Sequence, residues 1–346
     1  MSAIASCSTR LLTGALLCAL LFQPAAIAST KPLHRNPQAS TLSTPTYALS
    51  VFARGTSAYF NPDSITTGGG YLYVAYTNAT KPDGSDHAFS TVVQYTRSGG
   101  FVHAYSILGH CDGLRYNPYT GLVWALVNQD ANPYMYTINP GARIITPYRF
   151  SSVPHGGGFD DLAFTNGKAL ISASNPTLNG AGVNTHPAVD SVRLVGNIAQ
   201  ITPVLRGNAT ALDVTTNKTV TLNLVDPDSM SVDPSGVVVM ANQAGRELIY
   251  LHNPGTSAQR VTRLPVGTEV DDTVFVTSTL GCLYIVDGKT NTTYRTSGSF
   301  VPGTAFTEAP SDAIVASFVG TLDQSTGQIT PVIIGLRSPT GLLFVP

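Results

Sequence analysis

Between Tyr47 and the last residue, short apolar runs alternate with tight polar turns. One unit recurs: an Asp, a short apolar strand, a Gly- or Pro-containing turn, and a second apolar strand. It is clearest in Asp112-Gly113-Leu114-Arg115-Tyr116, the turn Asn117-Pro118-Tyr119-Thr120-Gly121, and Leu122 to Ala125. Other copies open at Asp63, turning at Gly68-Gly69-Gly70, and at Asp160, turning at Asn166-Gly167. A fourth opens at Asp228 and turns at Asp233-Pro234-Ser235-Gly236, and a fifth opens at Asp271 and turns at Leu280-Gly281 before Cys282 to Val286. A sixth, lacking the Asp, runs from Gly335-Leu336 through Ser338-Pro339-Thr340-Gly341 to Leu342–Val345. Apolar runs of this length bounded by such turns predict β-hairpins.

Further strands fill the spaces between hairpins, such as Thr91–Tyr95 with Phe101–Tyr105 and Leu248–Leu251 with Arg260–Leu264. The copies start about 49, 48, 68, 43 and 64 residues apart. A four-stranded propeller blade takes roughly 40 to 50 residues, so the two long gaps predict insertions. The expected fold is all-β, a six-bladed β-propeller over 47–346. A seventh blade would have to hide in the third segment, whose Asn179–Pro187 loop is polar and patternless. Tyr47–Phe52 reads as a lone strand that closes the ring by pairing with the C-terminal ones, removing an exposed sheet edge.

Composition changes the picture in one respect. Only 11% of residues are charged and the net charge is −1, with no basic run, which argues against a nucleic-acid partner. Residues 1–28 read as a secretory signal: Arg10, the apolar Leu11–Phe22, and Ala26-Ile27-Ala28 at the cleavage site. Residues 29–46 read as a flexible Ser/Thr/Pro leader. The expectation is a secreted or periplasmic monomer without a membrane anchor once the signal is cleaved. Cys111 and Cys282 then remain, in copies two and five, and are expected as buried thiols rather than a disulfide.

The repeat motifs resemble the six-bladed propellers of the NHL and SMP-30/gluconolactonase superfamily. Asp112-Gly113-Leu114 with Thr120–Ala125, and Asp233-Pro234-Ser235-Gly236 with Val239–Asn242, carry the resemblance. Such lactonases hold a catalytic divalent metal at the channel mouth, on a Glu, an Asn and an Asp. The resemblance sets Asp63 at the Glu position, Asp160 near the Asn, and Asp228 or Asp271 near the Asp. Neither the Glu nor the Asn itself is present.

The Asp series carries the candidate chemistry. First strands of neighbouring blades line the channel, so Asp63, Asp112, Asp160, Asp228 and Asp271 are expected to converge there and hold a divalent cation, Ca2+ by its preference for oxygen. The alternative is that each caps a turn. In the doublets Asp160-Asp161 and Asp271-Asp272, strand alternation allows only one member to face the axis, and the first is favoured. His155, behind three glycines, and His110, two residues before Asp112, are candidate general bases. Arg115 and Arg246 read as surface-paired, and His103 and His186 as non-catalytic. Sequons stand at Asn78, Asn208, Asn217 and Asn291, and no Gly-x-Ser-x-Gly elbow, zinc spacing or phosphate loop is present. Two functions fit. One is a metal-dependent hydrolase, of lactone or ester type, or a lyase, acting on a small molecule. The other is a non-enzymatic propeller binding a glycan or protein on one face, its ion structural.

Overall fold

The computed structural model describes residues 47–311 and 315–346; the expected signal and leader lie outside them. The described chain is all-β apart from one helical turn at Gly288–Thr290, and its strands form five sheets. A short strand, β1 (Ser50–Arg54), comes first. A meander of β2 (Pro62–Gly68), β3 (Tyr71–Tyr76), β4 (Phe89–Thr96) and β5 (Phe101–Leu108) follows. Next come β6 (Cys111–Asn117), β7 (Leu122–Val127), β8 (Tyr134–Asn139) and β9 (Ile144–Phe150), then β10 (Gly158–Thr165), β11 (Lys168–Ser174), β12 (Pro187–Val195) and β13 (Ile198–Arg206). These two meanders share one sheet because the outer strands β9 and β13 pair over two residues. The hairpin β14 (Thr210–Asp213) and β15 (Lys218–Thr221) attaches to the edge of a meander of β16 (Pro227–Val232), β17 (Val238–Asn242), β18 (Glu247–His252) and β19 (Arg260–Pro265). That hairpin accounts for part of the long third gap.

The last two sheets are interlaced. In chain order come β20 (Thr273–Phe275), β21 (Leu280–Asp287), β22 (Thr292–Ser299), β23 (Ala305–Ala309), β24 (Phe318–Leu322), β25 (Ile329–Ile334) and β26 (Pro339–Val345). One sheet runs β20-β23-β24-β25; the other runs β1-β22-β21-β26. The fifth sequence copy is therefore misassigned: β20 pairs with β23, whereas Cys282–Val286 pairs with β22 and β26. Leu280-Gly281 is no turn; Leu280 opens β21 with its side chain in solvent. The sixth copy is no hairpin either, because Pro339–Val345 is a single strand. The N-terminal strand starts at Ser50 rather than Tyr47, whose ring instead packs on Phe300 and Phe306.

The inner strands β2, β6, β10, β16, β20 and β26 each pack on the next, and β26 packs back on β2. This cyclic packing is a β-propeller arrangement. The core is distributed between sheets rather than inside one. Leu114 and Val123 meet Tyr73 and Ile107 at one interface, Phe159 and Ile171 meet Trp124 and Met135 at the next, and Tyr284 and Val286 meet Leu72 and Val74 where β26 abuts β2. Both faces of the middle strands are thus buried, which is why Tyr71–Tyr76 and Leu122–Val127 read as unbroken apolar runs. Cys111 and Cys282 are both free; Cys111 is buried, but Cys282 is only half-buried, its thiol 3.0 Å from Ser297 Oγ.

Candidate functional site: an acidic channel mouth

Each inner strand begins at the same end of the axis. In β2, β6, β10 and β16 the pairing to the next strand skips between the residue before the Asp and the second residue after the Asp, so the Asp and its successor lie in a β-bulge. A bulge re-aims side chains, and here it turns two successive residues inward. Strand alternation therefore fails at Asp160-Asp161, and it does not apply to Asp271-Asp272, which precedes β20. Asp160 and Asp271 face the other ring carboxyls, but Asp161 and Asp272 also point into the channel, one layer deeper.

The five expected carboxylates are brought together. Asp63 is in hydrogen-bonding contact with Asp112 and with Thr340, Asp160 is paired with Asp228, and Asp271 Oδ1 accepts a bond from Ser229 Oγ at 2.6 Å. Burial, then mutual repulsion, pushes Asp63, Asp160, Asp228 and Asp271 well above the ordinary carboxylate range. Carboxyl–carboxyl contacts of this kind require either shared protons or a cation.

The sixth position is Thr340. Its place follows from contacts that repeat around the axis: Asp161 Oδ2 accepts from Met230 N at 2.9 Å, and Asp272 Oδ2 accepts from Leu342 N at 2.9 Å. A Cβ on Gly113 would overlap the Asp160 carbonyl, and one on Gly341 the Asp63 carbonyl. Gly113 and Gly341 are equivalent, so Thr340-Gly341-Leu342 aligns with Asp112-Gly113-Leu114. That match was present in the sequence, some five residues past where the last copy was placed.

His110 sits at this mouth. Its Nδ1 is 2.8 Å from Thr80 O, its backbone N–H donates to Asn128 Oδ1 at 2.9 Å, and its ring lies with Asp63 and Asp112 such that one ligand atom of each falls within 4.8 Å of the others. His155 is placed differently. It is fully buried against Phe159, its Nε2 bonds Gly158 O at 2.5 Å, and burial takes its pKa down to about 4. Its ring neighbours are Phe159 and His186, not the ring carboxyls.

Two functional groups escaped the sequence reading. Glu308 on β23 is fully buried with both carboxyl oxygens unpartnered, and burial, then Asp272, holds its carboxyl well above the ordinary range; Asp287 and Asp228 push the same way. No motif marks it, because it comes from a second strand. Arg115 is the other. Rather than a surface pair, it crosses the channel: Nη2 donates to Asp161 Oδ2 at 2.5 Å and to Met230 O at 2.6 Å, and lies 3.4 Å from Asp272 Oδ1. Burial takes Asp272 up to about 6 even with the Arg115 charge opposing it. Beneath this plug a cavity of about 260 Å3, lined by Thr66, Phe164 and Val274, opens toward the other end. Arg246 is surface-paired as expected, 3.4 Å from Glu269.

No family model matches the sequence, and no curated protein does. Among solved structures, the chain is similar to virginiamycin B lyase from Staphylococcus aureus at 11% identity, over 86% of this chain and 96% of that one, with a TM-score of 0.49. It is also similar to a putative 6-phosphogluconolactonase from Bacteroides uniformis at 12% identity, over 81% and 73%, TM-score 0.47. A third similarity is to a putative 6-phosphogluconolactonase from Bacteroides fragilis at 15% identity, over 82% and 72%, TM-score 0.45. At these scores the likenesses carry no argument about what this chain does.

Proposed function

We propose that this chain is an exported, six-bladed β-propeller closed by β1, and that its acidic channel mouth holds a divalent cation, Ca2+ by its oxygen donors, for hydrolysis or elimination on a small lactone- or ester-type substrate. One observation carries the reading. Asp63, Asp112, Asp160, Asp228 and Asp271, each at the start of an inner strand, lie together, and carboxylates beside them help push Asp63, Asp160, Asp228 and Asp271 up. The donor set fits a hard cation: several carboxylate oxygens, with the unpartnered carboxyl of Glu308 behind them. When bound, such an ion supplies Lewis-acid polarisation of a carbonyl oxygen.

The chain's own residues do the rest. Thr80 O accepts from His110 Nδ1–H, which leaves Nε2 free to take a proton at the mouth. Arg115 and its two carboxylates seal the channel below, so substrate enters from the acidic side only. His155, enclosed by Gly158 and Phe159, serves packing in this reading. The export part rests on Arg10, the Leu11–Phe22 run and Ala26-Ile27-Ala28.

The test is a calcium titration by calorimetry on residues 29–346, with a lactone and ester screen of wild type, Asp228→Ala and His110→Ala. Tight binding of about one ion, with turnover lost in both folded variants, is the expected result. A bound ion with no turnover on any substrate would favour the glycan- or protein-binding alternative. Absence of any bound divalent ion would overturn the proposal.

A further inference from the structure

A second cleft lies at the opposite end of the first two meanders from the Asp residues. It is walled by the β2–β3 turn, the β6–β7 turn and the β8–β9 turn, and encloses about 550 Å3. Its lining contains no Asp or Glu, and Arg143, Gln94, Asn139 and the tyrosine hydroxyls can all donate. Tyr105 OH donates to Gln94 Oε1 at 3.1 Å, which leaves the Gln94 amide N–H groups uncommitted. Ala142 N donates to Asn139 Oδ1 at 3.1 Å, leaving that amide nitrogen free as well.

Three tyrosines supply rings and hydroxyls. Tyr73 is almost fully buried, yet its hydroxyl has no protein partner among the described residues. The Tyr116 ring fills the space a Cβ at Gly68 would need, and its hydroxyl lies within 3.7 Å of the Cβ positions of Gly69 and Gly121. Gly68 is thus required for the ring to stand there. Tyr71 completes the wall. Burial and the neighbouring phenols raise the Tyr73 pKa, so it remains a neutral donor.

Arg143 sits at the rim. It makes no ion pair among the described residues, although its backbone is held at φ 56°. A non-glycine residue in this left-handed region is uncommon. A built cleft with one cation, several unspent donors, aromatic walls and no acid is matched by an acceptor-rich, negatively charged ligand.

We propose that this cleft binds a small ring-bearing oxyanion, a carboxylate or a phosphate monoester, its charged group on Arg143 and Tyr73 and its ring against Tyr71 and Tyr116. The site is separate from the acidic mouth and stands independently of the cation proposal.

The experiment is isothermal calorimetry on the full chain with benzoate and phenyl phosphate, with benzyl alcohol as the uncharged control, in the presence of a chelator. One-to-one binding of benzoate or phenyl phosphate is expected, with benzyl alcohol at least about tenfold weaker. The stronger of the two anions assigns the group. Arg143→Ala, an exposed change that should leave the melting temperature unaltered, and Tyr73→Phe should each weaken binding by about tenfold. The proposal is overturned if neither anion binds, if benzyl alcohol binds equally well, if Arg143→Ala binds like wild type, or if binding is lost once the chelator is added.

Discussion

Arg115 is the residue on which the axis depends. A guanidinium held between two carboxyl groups, with little water, is strongly coupled to both, and removing one partner of a buried pair typically costs about 3–5 kcal/mol. Arg115→Ala should therefore lower the urea-unfolding free energy by an amount in that range. The triple change Arg115→Met, Asp161→Asn and Asp272→Asn should recover much of it, because no charge is left uncompensated. Gly113 is tied to the same site by shape. Its Cβ would overlap the Asp160 carbonyl, so Gly113→Ala should destabilise by about 1–3 kcal/mol and weaken calcium binding together, read by unfolding and calorimetry. His155→Ala should lower the melting temperature and leave cation affinity unchanged, whereas His110→Ala should leave the melting temperature unchanged and lose turnover.

At the scale of elements, the order of strands decides what can be removed. β1 pairs with β22 alone, and β22 otherwise presents an open edge. A chain starting after Arg54 should lose cooperative unfolding and self-associate, measurable by light scattering. The first four hairpins were legible because each is local: Gly70, Gly121, Gly167 and Gly236 take positive φ in tight turns between strands that pair with each other. The fifth and sixth were not. β20 is three residues long and its partner begins about thirty residues later, so no turn announces the pairing. Thr340 was hidden for a related reason: the pattern was keyed on Asp, and the sixth strand carries a hydroxyl in that place. The carboxylate ring was legible because identical side chains recur at one register position. Glu308 was not, since it reaches the ring from a neighbouring strand that repeats nothing.

For the whole molecule, the acidic mouth makes stability a function of pH and ions. Burial and the neighbouring carboxylates hold Asp63, Asp160, Asp228 and Asp271 above their ordinary value of 3.8. A raised carboxyl pKa means the folded state holds protons that the unfolded state has released, so this contribution is present at low pH and lost as pH rises. With Asp272 taken up to about 6, the loss should run from about pH 4 to beyond pH 6. The metal-free melting temperature should fall across that window, and added calcium should restore it more at about pH 7 than at about pH 4.5. A calcium effect that is the same at both values would count against the ring as the binding site.

The interlacing of the last two sheets also sets a timetable. β21 and β22 are synthesised before β23, yet they belong with β26 and β1 at the two extremes of the described chain. While a nascent chain is still on the ribosome, those two strands have no inner partner until the final seven-residue strand emerges. The pairing of Ser50 with Arg295 joins residues 245 apart, which slows that step relative to the local meanders. A chain stalled before β26 would thus present a two-stranded ribbon, Leu280–Ser299, whose buried Leu283, Ile285 and Val286 have nowhere to dock.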